Sequence, residues 1–290
     1  MPHTSRRKKH PSQQHKRLEV TDSSGWTHVT TSGNARRLNN SRDQKSNPSD
    51  TVISERSSSQ LKREDAIEPS LSPAEAPASV TLSQLQRQLN ESRRRWESSG
   101  TWVSAQGALR RALPLAASHD GEDDDVSIVC VGLGSPSGFL RGGWVDRRSV
   151  SMYQLAALTS VMELFDRQIP NHPVKTYAQD PVFNDLDRAL LESHNITVLE
   201  HPGAFEKVSS RTLLFCPGAE RRHIELLLAH NPTIVFGGPL EDIDSDIVTE
   251  FIRARDSVQL PLFEEQEHAF WRMRVYYNPS ERGRTSIKTF

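Results

Sequence analysis

The sequence contains no apolar run of the length that crosses a bilayer. A spanning helix needs about 20 consecutive apolar residues, and hydrophobic residues make up only 35% of this 290-residue chain. The basic cluster Arg6–Lys9 is followed by polar residues, which is not the pattern of a secretory signal peptide. We therefore expect no association with membranes.

Cysteine is equally scarce. The two cysteines, Cys130 and Cys216, are too few for a disulfide framework or a zinc ribbon. Both fall late in predicted buried strands, where a free cysteine behaves as a small hydrophobe, and this favours a reducing intracellular compartment. A thiolate pair of Cys216 with His201 or His223 remains a weak alternative. The histidines lack the spacing of a metal site, so no metal ligands are predicted.

The low apolar content limits how much of the chain can pack into a core. Charged residues make up 25% of the chain and the mean hydropathy is -0.61, which indicates one domain of roughly 150–200 residues beside a disordered part. We divide the chain into a disordered basic and polar tail (1–78), an α/β domain (79–278) and a C-terminal tail (279–290).

The N-terminal tail has two features that could act in binding. Its first fifty residues hold ten Lys/Arg and four Asp/Glu, a bias compatible with nuclear import, whereas sequence-specific nucleic-acid binding is not favoured. Trp26 lies among β-forming residues in an otherwise polar stretch. It could be a protein-docking motif, a segment that packs on the domain, or a solvated side chain.

The domain alternates short apolar strands with amphipathic helices, which predicts a Rossmann-like three-layer sandwich with a mostly parallel sheet. A last strand with alternating polarity is expected to be an antiparallel edge strand with one buried face. Ser151 and Gln154 are predicted to cap the start of a helix, and Asp242 or Asp244 that of the last helix. The predicted strands are 126–131, 174–177, 196–199, 212–216, 233–236 and 270–277. The predicted helices are 81–97, a short helix within 102–113, 151–169, 186–191, 224–229 and 243–252.

Glycines and polar residues follow several of the predicted strands, at the edge where such sheets bind ligands. The candidate ligand-binding residues are Gly132, Gly134, Ser135, Ser137, Asp180, Gly237 and Gly238. They fit a nucleotide-like or S-adenosylmethionine-like ligand, with Asp180 on the ribose hydroxyls. Tight turns between strands and helices are the favoured alternative for the glycines, and Asp180 suits the capping of the next helix as well as it suits a ribose.

Standard motifs do not decide between these alternatives. Ser137 stands where a dinucleotide fingerprint has its third glycine, and the predicted helix starts late. The turn is not a Walker A loop, because no Gly-Lys-Ser/Thr follows it. Ser135 and Ser137 form no nucleophile elbow. No catalytic residues are therefore predicted.

Several short motifs, taken in order, resemble the SRR-like (Sensitivity to Red light Reduced-like) domain family over about residues 80–278. They are Ile128–Ser135, Ser151–Leu158, Tyr177–Phe183, Thr212–Pro217 and Ala269–Phe270. The resemblance implies an intracellular regulatory protein of the cytoplasm and nucleus, linked to circadian, light- or stress-dependent gene expression, with no defined reaction.

The chain departs from the family pattern at two strand ends. Gly218-Ala219 replaces His-Cys after the fourth strand, and Gly237-Gly238-Pro239 replaces Gly-Asn-Ser after the fifth. These losses favour a non-catalytic role, with protein partners bound through the Trp26 region of the tail. The alternative is an enzyme or sensor that binds a small molecule at the glycine turn 132–138.

Overall fold

In a computed structural model the chain consists of two units. The described residues are 18–21, 27–30, 73–117, 126–139, 146–170 and 173–279. The first unit contains an antiparallel pair of strands, β1 (Leu18–Thr21) and β2 (Thr27–Thr30). The predicted disorder of the two tails falls largely outside the described residues, as does Trp26. Residues 73–78 are described within the second unit, where Ala74 is buried.

The second unit contains six helices and seven strands in its described residues. The helices are α1 (Leu82–Glu97), α2 (Gly100–Ala117), α3 (Arg147–Gln168), α4 (Asp185–Glu192), α5 (Arg221–Leu228) and α6 (Asp246–Arg253). The strands are β3 (Ser127–Val131), β4 (Lys175–Gln179), β5 (Ile196–Val198), β6 (Thr212–Cys216), β7 (Ile234–Gly237), β8 (Asp256–Gln259) and β9 (Arg274–Tyr277). Short 3-10 helices lie at Phe205–Lys207 and Leu240–Asp242.

The seven strands form one sheet in the order β5-β4-β3-β6-β7-β9-β8. The first five are mutually parallel, and β9 is antiparallel to both of its neighbours. The predicted α/β class and mostly parallel sheet are therefore confirmed. In chain order the parallel strands run 3-2-1-4-5, which is the Rossmann order, and the direction of winding reverses between β3 and β6.

Helices cover both faces of this sheet because successive strand residues point to opposite faces. Ile128 and Cys130 of β3 belong to the core beneath α1, α2, α3 and α4. Val129 and Val131 belong to a second core, beneath α5 and α6. The three predicted layers follow from this arrangement.

Helix α1 follows its sequence signals closely. Thr81 and Gln84 form a reciprocal capping box at its start, which satisfies two backbone N–H groups that the first turn leaves without partners. Leu85, Leu89 and Trp96 lie on its buried face. The Trp96 ring stacks on Phe270 at a centroid distance of 4.3 Å, so α1 anchors the segment before β9.

The predicted start of the long helix is wrong. Helix α3 begins at Arg147, where the Asp146 side chain accepts a hydrogen bond from the Ser149 N–H. Ser151 is buried inside the helix and its hydroxyl donates to the Arg147 carbonyl. The predicted cap of α6 is also wrong, because its N-cap residue is Ser245.

The predicted edge strand is an interior one. β9 lies between β7 and β8, and β8 was not predicted because Asp-Ser-Val-Gln carries almost no apolar signal. Val275 and Tyr276 are both buried, so β9 is covered on both faces. Trp271 falls inside the predicted strand 270–277, but it precedes β9 and is 58% exposed.

Candidate functional site

The predicted ligand-binding residues lie at the carboxyl edge of the sheet, around the point between β3 and β6 where the winding reverses. Gly132 and Gly218 are in backbone contact at this point. A Cβ atom on Gly132 would lie 2.5 Å from the Gly218 carbonyl carbon, and Gly132 has a φ of +79°. The glycine therefore allows the loops after β3 and β6 to meet, where a Rossmann enzyme leaves a crevice for its ligand.

Asp180 joins the glycine turn to the end of β4. Its carboxylate accepts hydrogen bonds from the Gly134 N–H at 2.8 Å and from the Val182 N–H at 3.1 Å. Burial is the main cause of a raised pKa at Asp180. The two hydrogen bonds partly oppose this shift in the pKa, and the charge of Asp187 adds to it. The Asp180 side chain therefore accepts hydrogen bonds from the backbone, and these bonds fix the position of its oxygens.

The sequence did not identify Asp187, which is central to the polar network beneath the turn. This fully buried carboxylate accepts from the Ser135 hydroxyl at 2.6 Å, the Ser137 N–H at 2.9 Å and the Asn184 N–H at 3.1 Å. The Ser137 hydroxyl bonds with the Asn184 side chain. The two predicted serines therefore bind protein groups, and Asp187 fixes the turn to the start of α4.

Gly237 and Gly238 lie one strand further along the sheet, at the end of β7. A Cβ on Gly237 would lie 2.6 Å from the Cys216 sulfur, and one on Gly238 would lie 3.1 Å from the Tyr276 hydroxyl. That hydroxyl accepts from the Leu240 N–H at 3.0 Å and donates to Glu241 at 2.7 Å. Both glycines therefore pack closely against neighbouring protein groups.

A family model describing the SRR1 domain matches residues 85–277. The chain belongs to the SRR1 domain family. The resemblance inferred from the ordered motifs is thereby confirmed, and the match begins inside α1 and ends with β9. A search of curated proteins found no match.

The cysteines of this SRR1 domain are poor nucleophiles. Cys130 and Cys216 are free and buried, and burial raises the pKa of the Cys216 thiol to about 12. Burial likewise raises the pKa of Cys130, with a smaller effect of Asp180. Because the thiolate is the reactive form, the structure argues against the thiolate alternative at Cys216.

His201 and His223 instead lie beside one another, with ring centroids 6.0 Å apart. His201 follows β5 and His223 lies in the first turn of α5, so they come from opposite sides of the winding reversal. The His201 Nδ1 lies 3.0 Å from the Gln179 amide nitrogen. Each histidine follows the end of a strand, but β5 and β6 are separated by β4 and β3 in the sheet, and no spacing rule in the sequence links the two residues.

A separate groove of about 870 Å³ lies between α1 and the start of α3. Arg87 and Glu91 of α1 contribute to one wall, and Phe139, Arg148 and Met152 to the other. None of the seven predicted ligand-binding residues lines it. Arg148 donates to the Pro136 carbonyl and to Gln88, so this groove is bordered by groups that also hold the glycine turn in place.

Among the described residues, no helix combines the length and apolar character required to span a membrane. No group of three or more His, Cys, Asp or Glu side chains within the same residues is arranged to hold a metal ion.

Proposed function

We propose that this SRR1-domain protein is an intracellular regulatory protein of the cytoplasm and nucleus, and that its folded domain works without a chemical step. The proposal rests on one observation, namely that the polar groups at the strand ends form hydrogen bonds with one another. A general base has to reach a substrate proton. Here Asp180 and Asp187 accept hydrogen bonds from the glycine turn and from the start of α4.

The regulated process is circadian, light-linked or stress-linked gene expression, as the family resemblance implies. Protein partners bind through the N-terminal tail around Trp26. In the source organism, Trp26→Ala should change light- or stress-responsive transcripts in the same direction as deletion of the gene. The exposed Trp271→Ala change in the domain is the matched control and should leave them unaltered. Wild-type transcript patterns in the Trp26→Ala strain would contradict this assignment to the tail.

A second candidate function is binding of a nucleotide-like or S-adenosylmethionine-like molecule. The Rossmann strand order favours it, because the glycine turn directly follows β3 at the reversal of winding. A thermal-shift screen of the full chain with nucleotides and adenosyl compounds separates the two functions. A ligand at 100 times its dissociation constant would stabilise the domain by about 2.7 kcal/mol. The non-catalytic proposal predicts no shift, and a shift abolished by Gly134→Val would favour the second function.

A further inference from the structure

The neighbouring histidines connect two halves of the sheet at its carboxyl edge. Phe205 packs against both rings, with centroid distances of 5.4 Å to His201 and 5.5 Å to His223. Phe205 is buried, His223 is half-buried and His201 is exposed. The connection between β5 and β6 is thereby held against the first turn of α5 through two imidazole rings.

Gln179 determines which protonation state of His201 fits this arrangement. The Gln179 side-chain oxygen accepts a hydrogen bond from the Ala204 N–H at 2.9 Å. Its amide nitrogen therefore faces the His201 Nδ1, at 3.0 Å, and an amide nitrogen can only donate. The Nδ1 atom must accept, so the fitting form of His201 is the neutral imidazole with its proton on Nε2.

Protonation of His201 would place a second donor opposite the Gln179 amide nitrogen. The hydrogen bond would be lost, and Gln179 could not rotate its oxygen toward His201 without leaving the Ala204 N–H. A positive charge on both rings would add repulsion across 6.0 Å. Neutral imidazoles are therefore compatible with the Gln179 hydrogen bond and with the contact between the rings, whereas imidazolium ions destabilise both.

Charged groups on the elements around the pair have other partners. Glu220, which precedes α5, is ion-paired with Arg222 at 3.2 Å. Glu200, which precedes His201, is paired with Arg188 of α4 at 2.6 Å. After β4 the Asp180 carboxylate accepts from Gly134 and Val182, and in the connecting segment the Lys207 ammonium lies over the Tyr177 ring.

We propose that His201 and His223 form a proton-sensitive contact that holds the 201–207 segment against β4 and α5 when neutral and releases it when protonated. Release would remove the Gln179 bond to the Ala204 N–H and separate Phe205 from α5. The segment would then expose the carboxyl ends of β3 and β4. Mild acid is therefore the condition that opens this side of the sheet.

The direction of the pH effect follows from His223. Burial and the nearby Arg222 lower its pKa, Glu220 opposes them, and His201 lowers it further. A histidine whose pKa is lower in the folded than in the unfolded state stabilises the fold at pH values above the unfolded pKa of about 6.5. That stabilisation is lost as the pH falls from this value through the folded pKa.

Hydrogen exchange of the Ala204 amide in the full-length protein tests the proposal. Between about pH 7.5 and about pH 5.5, its protection factor, corrected for the intrinsic exchange rate, should fall about tenfold or more. The Leu214 amide in the interior of β6 should change far less. Equal changes at both amides, or none at Ala204, would overturn the proposal.

Two substitutions distinguish the proposed contact from general acid sensitivity. Gln179→Glu supplies acceptor oxygens to both the Ala204 N–H and a protonated His201, so the acid-induced loss of protection should disappear. His201→Asn keeps an acceptor for Gln179 but cannot be protonated, so the acid-induced loss of Ala204 protection should shrink to the part that His223 contributes. His230→Gln, at an exposed histidine beyond α5, should behave like wild type. Wild-type acid sensitivity in a folded His201→Asn protein would refute the proposal even if Gln179→Glu fails to fold.

Discussion

Replacing Asp187 by alanine removes the carboxylate that joins the glycine turn to α4. Three donors lose their acceptor, namely the Ser135 hydroxyl and the N–H groups of Ser137 and Asn184. Hydrogen bonds to a charged group contribute about 1.5–3 kcal/mol each. Because the three share one carboxylate, their contributions do not add. Release of a buried charge also offsets part of the loss.

We therefore expect Asp187→Ala to lower the free energy of unfolding by about 3–5 kcal/mol. In a domain of this size the change corresponds to a fall in Tm of roughly 10 °C. Urea denaturation followed by circular dichroism gives the free energy, and calorimetry gives the Tm.

Asp185→Ala is the matched control for this measurement. Asp185 occupies the same first turn of α4 but is exposed, so its favourable interaction with the helix dipole is about 0.3–1 kcal/mol. A loss for Asp187→Ala no larger than that for Asp185→Ala would refute the role of the carboxylate in holding the turn.

Two further stability predictions test the contacts at the strand ends. Gly132→Ala should lower the free energy of unfolding by at least about 2 kcal/mol in urea denaturation, because a φ of +79° and the contact with Gly218 both oppose a side chain. Gly107→Ala in α2 should instead stabilise the fold by about 0.5–1 kcal/mol, because the added Cβ would meet only the Arg111 side chain, at 3.8 Å. Equal effects of the Gly132 and Gly107 changes would contradict the predicted contact at Gly132. The raised pKa of Asp180 means that its protonated form favours folding, so this contribution is greatest below the unfolded pKa and is lost as the pH rises through the folded pKa. Denaturation at several pH values should therefore show the stability of wild type relative to Asp180→Asn increasing as the pH falls from neutral, and a constant difference would contradict the burial argument.

The elements that could be predicted from the sequence are those whose own residues carry the signal. β6 was placed correctly because the four apolar residues 213–216 end at Pro217-Gly218. Helix α1 was placed correctly because its apolar residues recur at helical spacing. β8 was missed because its Asp-Ser-Val-Gln sequence is polar and it is held by pairing with β9. The start of α3 was missed because polar residues at 147–149 begin its first turn, ahead of the apolar spacing.

The candidate site could be predicted only in part, for a related reason. The glycine turn and Asp180 were identified because both directly follow strands, and the structure does bring them into contact. Asp187 has the sequence context of a surface residue in a short helix. It is buried because the glycine turn supplies its donors from about fifty positions earlier in the chain. The contacts of His201 with Gln179 and His223 could not be predicted for the same reason, because they too depend on the strand order.

We propose that the residues around the glycine turn bind one another rather than a ligand at the reversal of winding. The most direct test is to follow the backbone amide resonances of Gly132, Gly134 and Ser137 by NMR while nucleotides and adenosyl compounds are titrated into the full-length protein. Because these residues already bind one another, we expect that their resonances do not move. Saturable shifts of all three, absent in a folded Asp180→Ala variant, would contradict it and establish a ligand site at the turn.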